Sequence, residues 1–161
     1  MPTVAVLDNL RSAFNVGNIF RLAETTRIES VMLCGYTATP PHPKLAKTAR
    51  GCDNCVPFQH VDDTVECLNE LRSKGYKIYG VETVAGAQSV WDVSFRFPAA
   101  FVFGNEALGI SPAALALCDA FIKLPCFGTK NSINVGNCAA VVLYAAVQQW
   151  YPQQEKPNAL P

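Results

Sequence analysis

The sequence predicts an α/β domain in which a mostly parallel sheet carries helices on both faces. The first observation is alternation: short apolar runs that stop at Asp, Asn or Gly are separated by segments whose apolar residues recur at helical spacing. The second is composition, because half of the 161 residues are hydrophobic and only 16% are charged, which is enough to bury one core. Strands that alternate with helices are typical of a parallel sheet covered on both sides.

The first strand–helix–strand unit is predicted in the N-terminal third of the chain. Residues 4–7 form a short apolar run that ends at Asp8 and Asn9, as a buried strand does. A helix is predicted from Asn15, whose side chain is suited to cap its first turn. The next strand is Ser30–Cys34, and the crossover between these two parallel strands is expected to be right-handed.

The remaining elements follow the same alternation. Pro43 is expected to begin a helix, and a cap at Asp62, Asp63 and Thr64 begins another that ends at Gly75. The further predicted elements are strands at 56–58, 77–81, 99–103 and 120–124, and helices at 112–117 and 135–151. Residues 1–151 therefore form a single predicted domain, and the Pro- and Gln-rich residues 152–161 form a flexible tail.

Charge and cysteine content limit the partners that can be expected. The formal net charge is zero, so nucleic-acid binding needs a local basic patch, and the low charged fraction indicates surface buried by self-association. No signal peptide or apolar run of about 18 residues is visible, which predicts a cytoplasmic protein without a membrane partner. The seven cysteines are expected to be reduced. Cys52 and Cys55 have redox or zinc spacing but lack two further ligands, so no metal is predicted.

The segment from Leu124 to Val147 is the most informative part of the chain. It turns through Pro125 and Gly128, and Ser132 and Asn134 then precede a helix with almost no charge. A helix that is apolar on every side is expected to be buried, and polar residues at its N-terminal end can bind ligand atoms. The alternative is that Ser132 and Asn134 only cap the helix.

Two other segments carry candidate functional residues. Asn15 and Arg21 are expected to face the same side of a helix start, with a guanidinium suited to a phosphate; the alternative is a surface Arg21 paired with Glu24. An apolar strand delivers Gly104 and then Glu106 to a crevice at its carboxyl end; the alternative is a turn with a solvated carboxylate. The sequence lacks the Lys-Ser/Thr pair of a phosphate-binding P-loop and a Gly-x-Gly-x-x-Gly dinucleotide fingerprint.

Taken together, the three segments resemble the motifs of the SPOUT methyltransferases, in the SpoU/TrmH-like branch. Asn-x-Gly-x-x-x-Arg, from Asn15 to Arg21, matches the first motif, and the run from Phe101 to Ser111 matches the second. Ser132-Ile-Asn-Val after a Leu-Pro-x-x-Gly turn matches the third. The motifs stand in the family order, and the resemblance covers about residues 3–150.

This resemblance implies a fold, a cofactor and a reaction. Members of the family have an α/β fold with a deep C-terminal trefoil knot, form homodimers and hold S-adenosylmethionine in the knot. The implied reaction is methyl transfer to a ribose 2′-hydroxyl of RNA. The residues that the resemblance places in the cofactor pocket are Thr83, Gly104, Leu124, Ser132 and Ile133.

The resemblance also implies catalytic roles. Arg21 would act either as the base or as the group that holds the RNA phosphate; because an arginine pKa above about 12 keeps it protonated, positioning is the role with physical support. Glu106, Ser132 and Asn134 would orient Arg21 and the ligand, and Asn15 would position the helix mouth or the nucleotide.

Four further basic residues are candidates for phosphate contacts with RNA: Arg11, Lys44, Lys47 and Arg50. The alternative is a solvated charged face. No additional RNA-binding domain is visible, which favours tRNA over rRNA as the substrate. A catalytically silent RNA-binding or assembly factor and a small-molecule methyltransferase are the competing functions, but the intact Arg21, Glu106 and Asn134 favour an RNA methyltransferase.

Overall fold

The strands lie in a single parallel sheet. The structure is a computed structural model, and it describes residues 1–153. Among these residues the strand order is β3-β2-β1-β6-β4-β7-β5, and every neighbouring pair is parallel. The strands are β1 Thr3–Asp8, β2 Ser30–Cys34, β3 Phe58–Val61, β4 Lys77–Val81, β5 Gln88–Ser89, β6 Ala99–Gly104 and β7 Ala120–Lys123.

Helices cover both faces of the sheet, as predicted. One hydrophobic cluster joins the sheet to α1 Ala13–Thr26, α2 Pro43–Ala49 and α5 Val135–Trp150. The other cluster joins the opposite face to α3 Thr64–Ser73 and α4 Pro112–Leu115. The α/β prediction is therefore confirmed, and the predicted strands Ser30–Cys34 and Lys77–Val81 have the predicted bounds.

Three elements differ from the prediction. Helix α1 begins after Ser12, whose hydroxyl accepts the backbone N–H of Asn15, so Ser12 and not Asn15 is the N-cap. Strand β3 was expected at residues 56–58 but runs from Phe58 to Val61, because an edge strand with exposed side chains has no apolar run to reveal it. The two-residue strand β5 is too short to produce a sequence pattern.

The end of the chain also departs from expectation. Residues 151–153 form a 3-10 turn directly after α5, so the start of the predicted tail belongs to the helical end of the fold. Residues 154–161, the rest of that predicted tail, lie outside the described residues. Within residues 1–153 no helix combines the length and apolar composition needed to cross a membrane.

Helix α5 is only half buried, although it was expected to be buried on every side. Ala139, Val142 and Leu143 are fully buried against the sheet. The opposite side is partly exposed, and the Tyr144 side chain is 51% accessible. The apolar composition of α5 therefore reflects a second surface, and the sheet covers only the first.

Parallel pairing brings the carboxyl ends of β1, β2, β4, β6 and β7 to one edge of the sheet. The loops that follow these strands therefore share that edge, where ligands bind in open α/β sheets. Residues 9–12, 35–42, 82–87, 105–111 and 124–134 form these loops.

Candidate active site

A cavity of about 360 Å³ opens at the carboxyl ends of β4, β6 and β7. All five residues that the sequence assigned to the cofactor line its wall: Thr83, Gly104, Leu124, Ser132 and Ile133. Glu106 and Asn134, predicted as catalytic residues, line the same cavity. The loops after three neighbouring strands thus bring together residues that lie up to 51 positions apart, from Thr83 to Asn134.

The end of β6 is shaped by a close backbone approach at Gly104. A Cβ atom on this residue would lie 2.2 Å from the backbone nitrogen of Ile110 and 2.3 Å from the carbonyl carbon of Gly109. The loop between them folds back on itself, since Asn105 and Gly109 exchange backbone hydrogen bonds of 3.0 and 2.8 Å. Glycine at position 104 therefore permits the turn that presents Glu106 to the cavity.

Glu82 is a cavity residue that sequence reasoning missed. Its carboxylate accepts hydrogen bonds from the backbone N–H of Thr83 at 2.9 Å and of Ile110 at 3.1 Å. Lys123 and Asn131 line the same wall. The available signal was position, because Glu82 directly follows β4 just as Glu106 follows the end of β6.

A chain of hydrogen bonds joins the three sequence motifs at the cavity mouth. The Glu106 carboxylate accepts from the backbone N–H of Arg11 at 2.8 Å and of Ser12 at 3.1 Å, and from Nδ2 of Asn15 at 2.8 Å. Asn15 Oδ1 in turn accepts from Nδ2 of Asn134 at 3.1 Å. We call Glu106, Asn15 and Asn134 the motif junction.

The charge of Glu106 is stabilised by the motif junction. Partial burial by itself would raise the pKa of Glu106. The hydrogen bonds donated by Asn15 and by the backbones of Arg11 and Ser12 outweigh that effect, and the net pKa lies below its ordinary value. A carboxylate held in this way is a weak proton acceptor, and its hydrogen bonds fix the N-terminal end of α1.

Asn134 caps α5 and also joins this helix to Asn15 in the motif junction. Its Oδ1 accepts from the backbone N–H of Gly136 at 2.9 Å and of Asn137 at 3.3 Å, while its Nδ2 donates to Asn15. The two predicted roles of Asn134, as a helix cap and as a residue that faces the ligand, therefore do not exclude each other. Helices α1 and α5 can meet here because residue 136 is a glycine. A Cβ at this position would lie 2.6 Å from Nδ2 of Asn18.

Arg21 lies apart from the cavity. Six residues along an α-helix turn the chain to about 120° from the starting direction, so Asn15 and Arg21 do not share a face of α1 as expected. The Arg21 guanidinium is exposed and close enough to Cys52 to lower the pKa of that thiol, although burial raises it more. Among residues 1–153, neither Glu106, Ser132 nor Asn134 binds the Arg21 side chain.

The predicted RNA-binding residues form an exposed set on the α1–α2 side of the site. Each of them is open to solvent, and none forms an ion pair within the part of the chain that the structure describes: Arg11, Lys44, Lys47 and Arg50. Helix α2 begins at Pro43, as predicted, with the ring of His42 accepting the N–H of Leu45.

The cysteines are free thiols. Cys126 and Cys138 line the cavity, and burial raises the pKa of Cys138 to about 11. Cys52 and Cys55 lie at the 3-10 turn Cys52–Asn54, beside α1. A thiol with so high a pKa stays protonated at neutral pH, so Cys138 contributes an apolar wall to the cavity.

The whole arrangement matches a known family. The SpoU rRNA Methylase family matches residues 2–144, which include all three motifs and the cavity. The chain belongs to this family. It is 30% identical over 144 residues to a Staphylococcus haemolyticus protein assigned to the TrmH family of tRNA/rRNA methyltransferases, covering 89% of this chain and 57% of that protein. The chain thus spans a little over half the length of this relative.

Solved structures share the fold. The SpoU methyltransferase AviRb from Streptomyces viridochromogenes, crystallised with AdoMet, is 26% identical with a TM-score of 0.84, covering 91% of this chain and 60% of that chain. A protein studied for 2-OH methylation of C/U34 on tRNA is 24% identical with a TM-score of 0.83, covering 93% of this chain and 98% of that chain. The second likeness shows the fold alone, matched over nearly the full length of both chains.

Glu106→Gln is expected to lower the free energy of unfolding at pH 7 by about 1 kcal/mol, because a neutral amide accepts the two backbone N–H bonds more weakly. The folded-state pKa of Glu106 lies below the ordinary value of 4.5. Its stabilisation is therefore present above that value and is lost as the pH falls through the folded-state pKa. Urea unfolding between pH 7 and pH 3 measures the difference between the two proteins.

The matched control is Glu24→Gln on α1, because the Glu24 side chain forms no hydrogen bond or ion pair within residues 1–153. Its effect should be smaller at pH 7. Equal losses in the two variants would contradict a structural role for the motif junction.

Proposed function

We propose that this protein transfers a methyl group from S-adenosylmethionine to a ribose 2′-hydroxyl of RNA, with tRNA as the first substrate to test. One observation carries the proposal: the motif junction borders the mouth of a cavity whose wall holds every residue expected to contact the cofactor. Membership of the SpoU family and the AdoMet complex of AviRb support it.

The cavity suits S-adenosylmethionine in size and in chemistry. Its volume of about 360 Å³ lies within the range of about 300–1,000 Å³ that holds cofactor-sized ligands. Glu82 and Lys123 line it with opposite charges, which suits an amino acid moiety that carries both an ammonium and a carboxylate. Asn131 and Ser132 add amide and hydroxyl groups for polar atoms of the ligand.

The protein's contribution to such a transfer is positioning. When bound, S-adenosylmethionine supplies a methyl group on a sulfonium that a hydroxyl oxygen can attack, with a neutral thioether as the leaving group and the hydroxyl proton released to solvent. Ser132 and Asn134, at the cavity mouth, would orient the ribose. Arg21 would hold the neighbouring phosphate with its guanidinium fork, which stays protonated and can bind two oxygens at once.

The RNA backbone would be held on the α1–α2 side. Arg21 and the four exposed cations on or beside these helices lack carboxylate partners within residues 1–153, so their charge is available to phosphates. Because the net charge is zero, the attraction for RNA would come from these basic residues and not from the protein surface as a whole.

We further propose a homodimer in the cytoplasm and a knotted chain. One stripe of α5 carries apolar and aromatic side chains at helical spacing, of which Tyr144 is exposed and Ala140, Val141 and Val147 are half-buried. A second copy of this chain would bury that stripe. The knot is the one that the family resemblance implies, formed by the segments that carry the second and third motifs.

Arg21→Ala is expected to reduce methyl transfer by at least about 100-fold, because the target ribose would no longer be held in attack geometry. S-adenosylmethionine affinity should stay within a few-fold, since Arg21 lies outside the cavity. The measurement is transfer of labelled methyl to bulk tRNA and rRNA, followed by nucleoside mass spectrometry, with calorimetry for the cofactor.

Arg21→Lys is the matched variant, because it keeps the charge and removes the planar fork. A 2′-O-methylnucleoside formed by the wild-type protein and absent with both variants supports the proposal. Transfer that persists in Arg21→Ala contradicts the role of Arg21. Cofactor binding without transfer to any RNA favours an RNA-binding or assembly factor instead.

The double variant Lys44→Gln and Lys47→Gln should weaken RNA binding and reduce the slope of log affinity against log salt by about one for each phosphate that is no longer neutralised. Binding is measured with bulk tRNA at several salt concentrations. Lys74→Gln is the control, because Lys74 pairs with Glu70 on α3, on the opposite face of the sheet. An unchanged slope in the double variant would assign these lysines to a merely solvated face.

Sedimentation at micromolar concentration should give a dimer, and Tyr144→Glu should give a monomer, because a charge would be buried without a partner in the α5 stripe. Trp91→Glu is the control, since its side chain is similarly exposed but does not lie on α5. A wild-type monomer would refute the proposed interface.

A further inference from the structure

Tyr36 stands out beside the cavity because its ring is exposed while its position is fixed. It follows β2 at the carboxyl edge of the sheet, and its side chain is 62% accessible. Exposure of an aromatic ring to water is unfavourable, and a ring with two rotatable bonds in an open loop would ordinarily be mobile. Three sets of hydrogen bonds hold Tyr36 in place: that of its hydroxyl, that of its own backbone N–H, and those of its two neighbours in the chain.

The hydroxyl of Tyr36 is held by a buried side chain. Asn105, only 6% exposed, donates from Nδ2 to the Tyr36 hydroxyl at 2.6 Å and to the carbonyl of Asn9 at 2.7 Å. Asn105 Oδ1 accepts from the backbone N–H groups of Ala107 and Leu108 at 2.9 and 3.1 Å. Asn105 thus ties the loops after β1, β2 and β6 together, and the ring of Tyr36 is fixed at its outer end.

The backbone on both sides of Tyr36 is fixed as well. Its own N–H donates to Asn9 Oδ1 at 3.3 Å, and the N–H of Gly35 donates to the carbonyl of Val61 at 3.0 Å. The hydroxyl of Thr37 is buried, where it donates to the carbonyl of Cys34 and accepts from the N–H of Leu10. The ring is therefore anchored at its base and at its tip, with much of its surface open.

The residue that holds this ring lies next to the motif junction in the chain. This residue, Asn105, directly precedes Glu106 and lines the cavity with it. The exposed Arg11 lies in the loop after β1, where its backbone binds Glu106. Among residues 1–153 no other aromatic ring packs against Tyr36. A preorganised aromatic surface, between a loop that carries a cation and a residue that lines a cofactor-sized cavity, fits a planar group that carries phosphates.

We propose that the ring of Tyr36 is the stacking platform for an unpaired base of the RNA, at or next to the nucleotide whose ribose enters the site. The inference rests on the proposed RNA methyl transfer and adds a base-binding site to it. Base stacking on an aromatic side chain is tolerant of sequence and requires a single strand, because bases in a duplex are already stacked. A fixed ring binds a base without first losing conformational freedom.

The test compares variants that separate the ring from its hydroxyl. Tyr36→Phe removes the bond to Asn105 and keeps the ring, while Tyr36→Ala and Tyr36→Leu remove the aromatic face. Trp91→Ala is the control: its side chain is 63% exposed, and it follows β5, which lies five strand spacings, about 24 Å, from the strand β2 that precedes Tyr36. The probes are a fluorescein-labelled single-stranded RNA decamer of mixed sequence and the same decamer annealed to its complement.

Fluorescence anisotropy should show about a tenfold loss of single-strand affinity in Tyr36→Ala and Tyr36→Leu, and a change of less than about threefold in Tyr36→Phe and Trp91→Ala. Duplex affinity should be equal in all five proteins, since phosphates alone carry it. Thermal unfolding and S-adenosylmethionine affinity, measured on the same samples, should be the same in Tyr36→Leu and Tyr36→Phe, because both lose the bond to Asn105 and the exposed ring contributes little to the core.

Several results would overturn the platform. An equal loss in Tyr36→Phe and Tyr36→Ala would reduce Tyr36 to a tether between loops. Unchanged single-strand affinity in Tyr36→Leu, an equal loss in Trp91→Ala, or no wild-type preference for the single strand would do the same. The failure of the proposed function is distinguishable: ring-dependent binding of the single strand without methyl transfer to any RNA would support the platform and contradict the enzyme.

Discussion

The hydrogen bonds to the Glu106 carboxylate are the interaction on which the site depends. Parallel strands bring the ends of β1 and β6 side by side, but the loops after them have no reason to hold one shape without a shared partner. Glu106 supplies it by accepting both backbone N–H groups that precede α1 and the amide of Asn15. A carboxylate at the N-terminus of a helix also interacts favourably with the helix dipole, so the negative charge of Glu106 is stabilised by α1.

The rest of the site follows from that interaction. Because the N-terminal end of α1 is fixed, Asn15 can bind Asn134, and α5 can approach α1 closely at Gly136. The loop between β7 and α5 is then held at its helical end, where Ser132 and Ile133 form a wall of the cavity. Asn105, the neighbour of Glu106, extends the same principle outward by fixing the ring of Tyr36. Two adjacent side chains after β6 therefore organise both the cavity and the surface beside it.

Much of the fold could be predicted because buried strands have apolar runs and helices have caps. Strand β4 and the Asp63 cap of α3 are local patterns of this kind. The errors have equally physical causes. Strand β3 lies at an edge with exposed side chains, Ser12 caps α1 because Glu106 fixes the backbone before it, and α5 carries a second apolar surface that composition alone could not tell from burial. The angle of about 120° between Asn15 and Arg21 follows from their spacing of six residues, and the structure adds that both residues lie within α1.

The sequence by itself determined the family, most of the strand and helix order, and seven of the residues that line the cavity, because short motifs bound by glycine and asparagine specify local backbone shapes. Only the tertiary structure decided how these residues are joined. Glu106 binds the mouth of α1 and not Arg21, Glu82 lines the cavity, and Asn105 anchors Tyr36. Each of these hydrogen bonds joins residues 28 to 95 positions apart, and such pairings depend on strand order, which local sequence patterns do not contain.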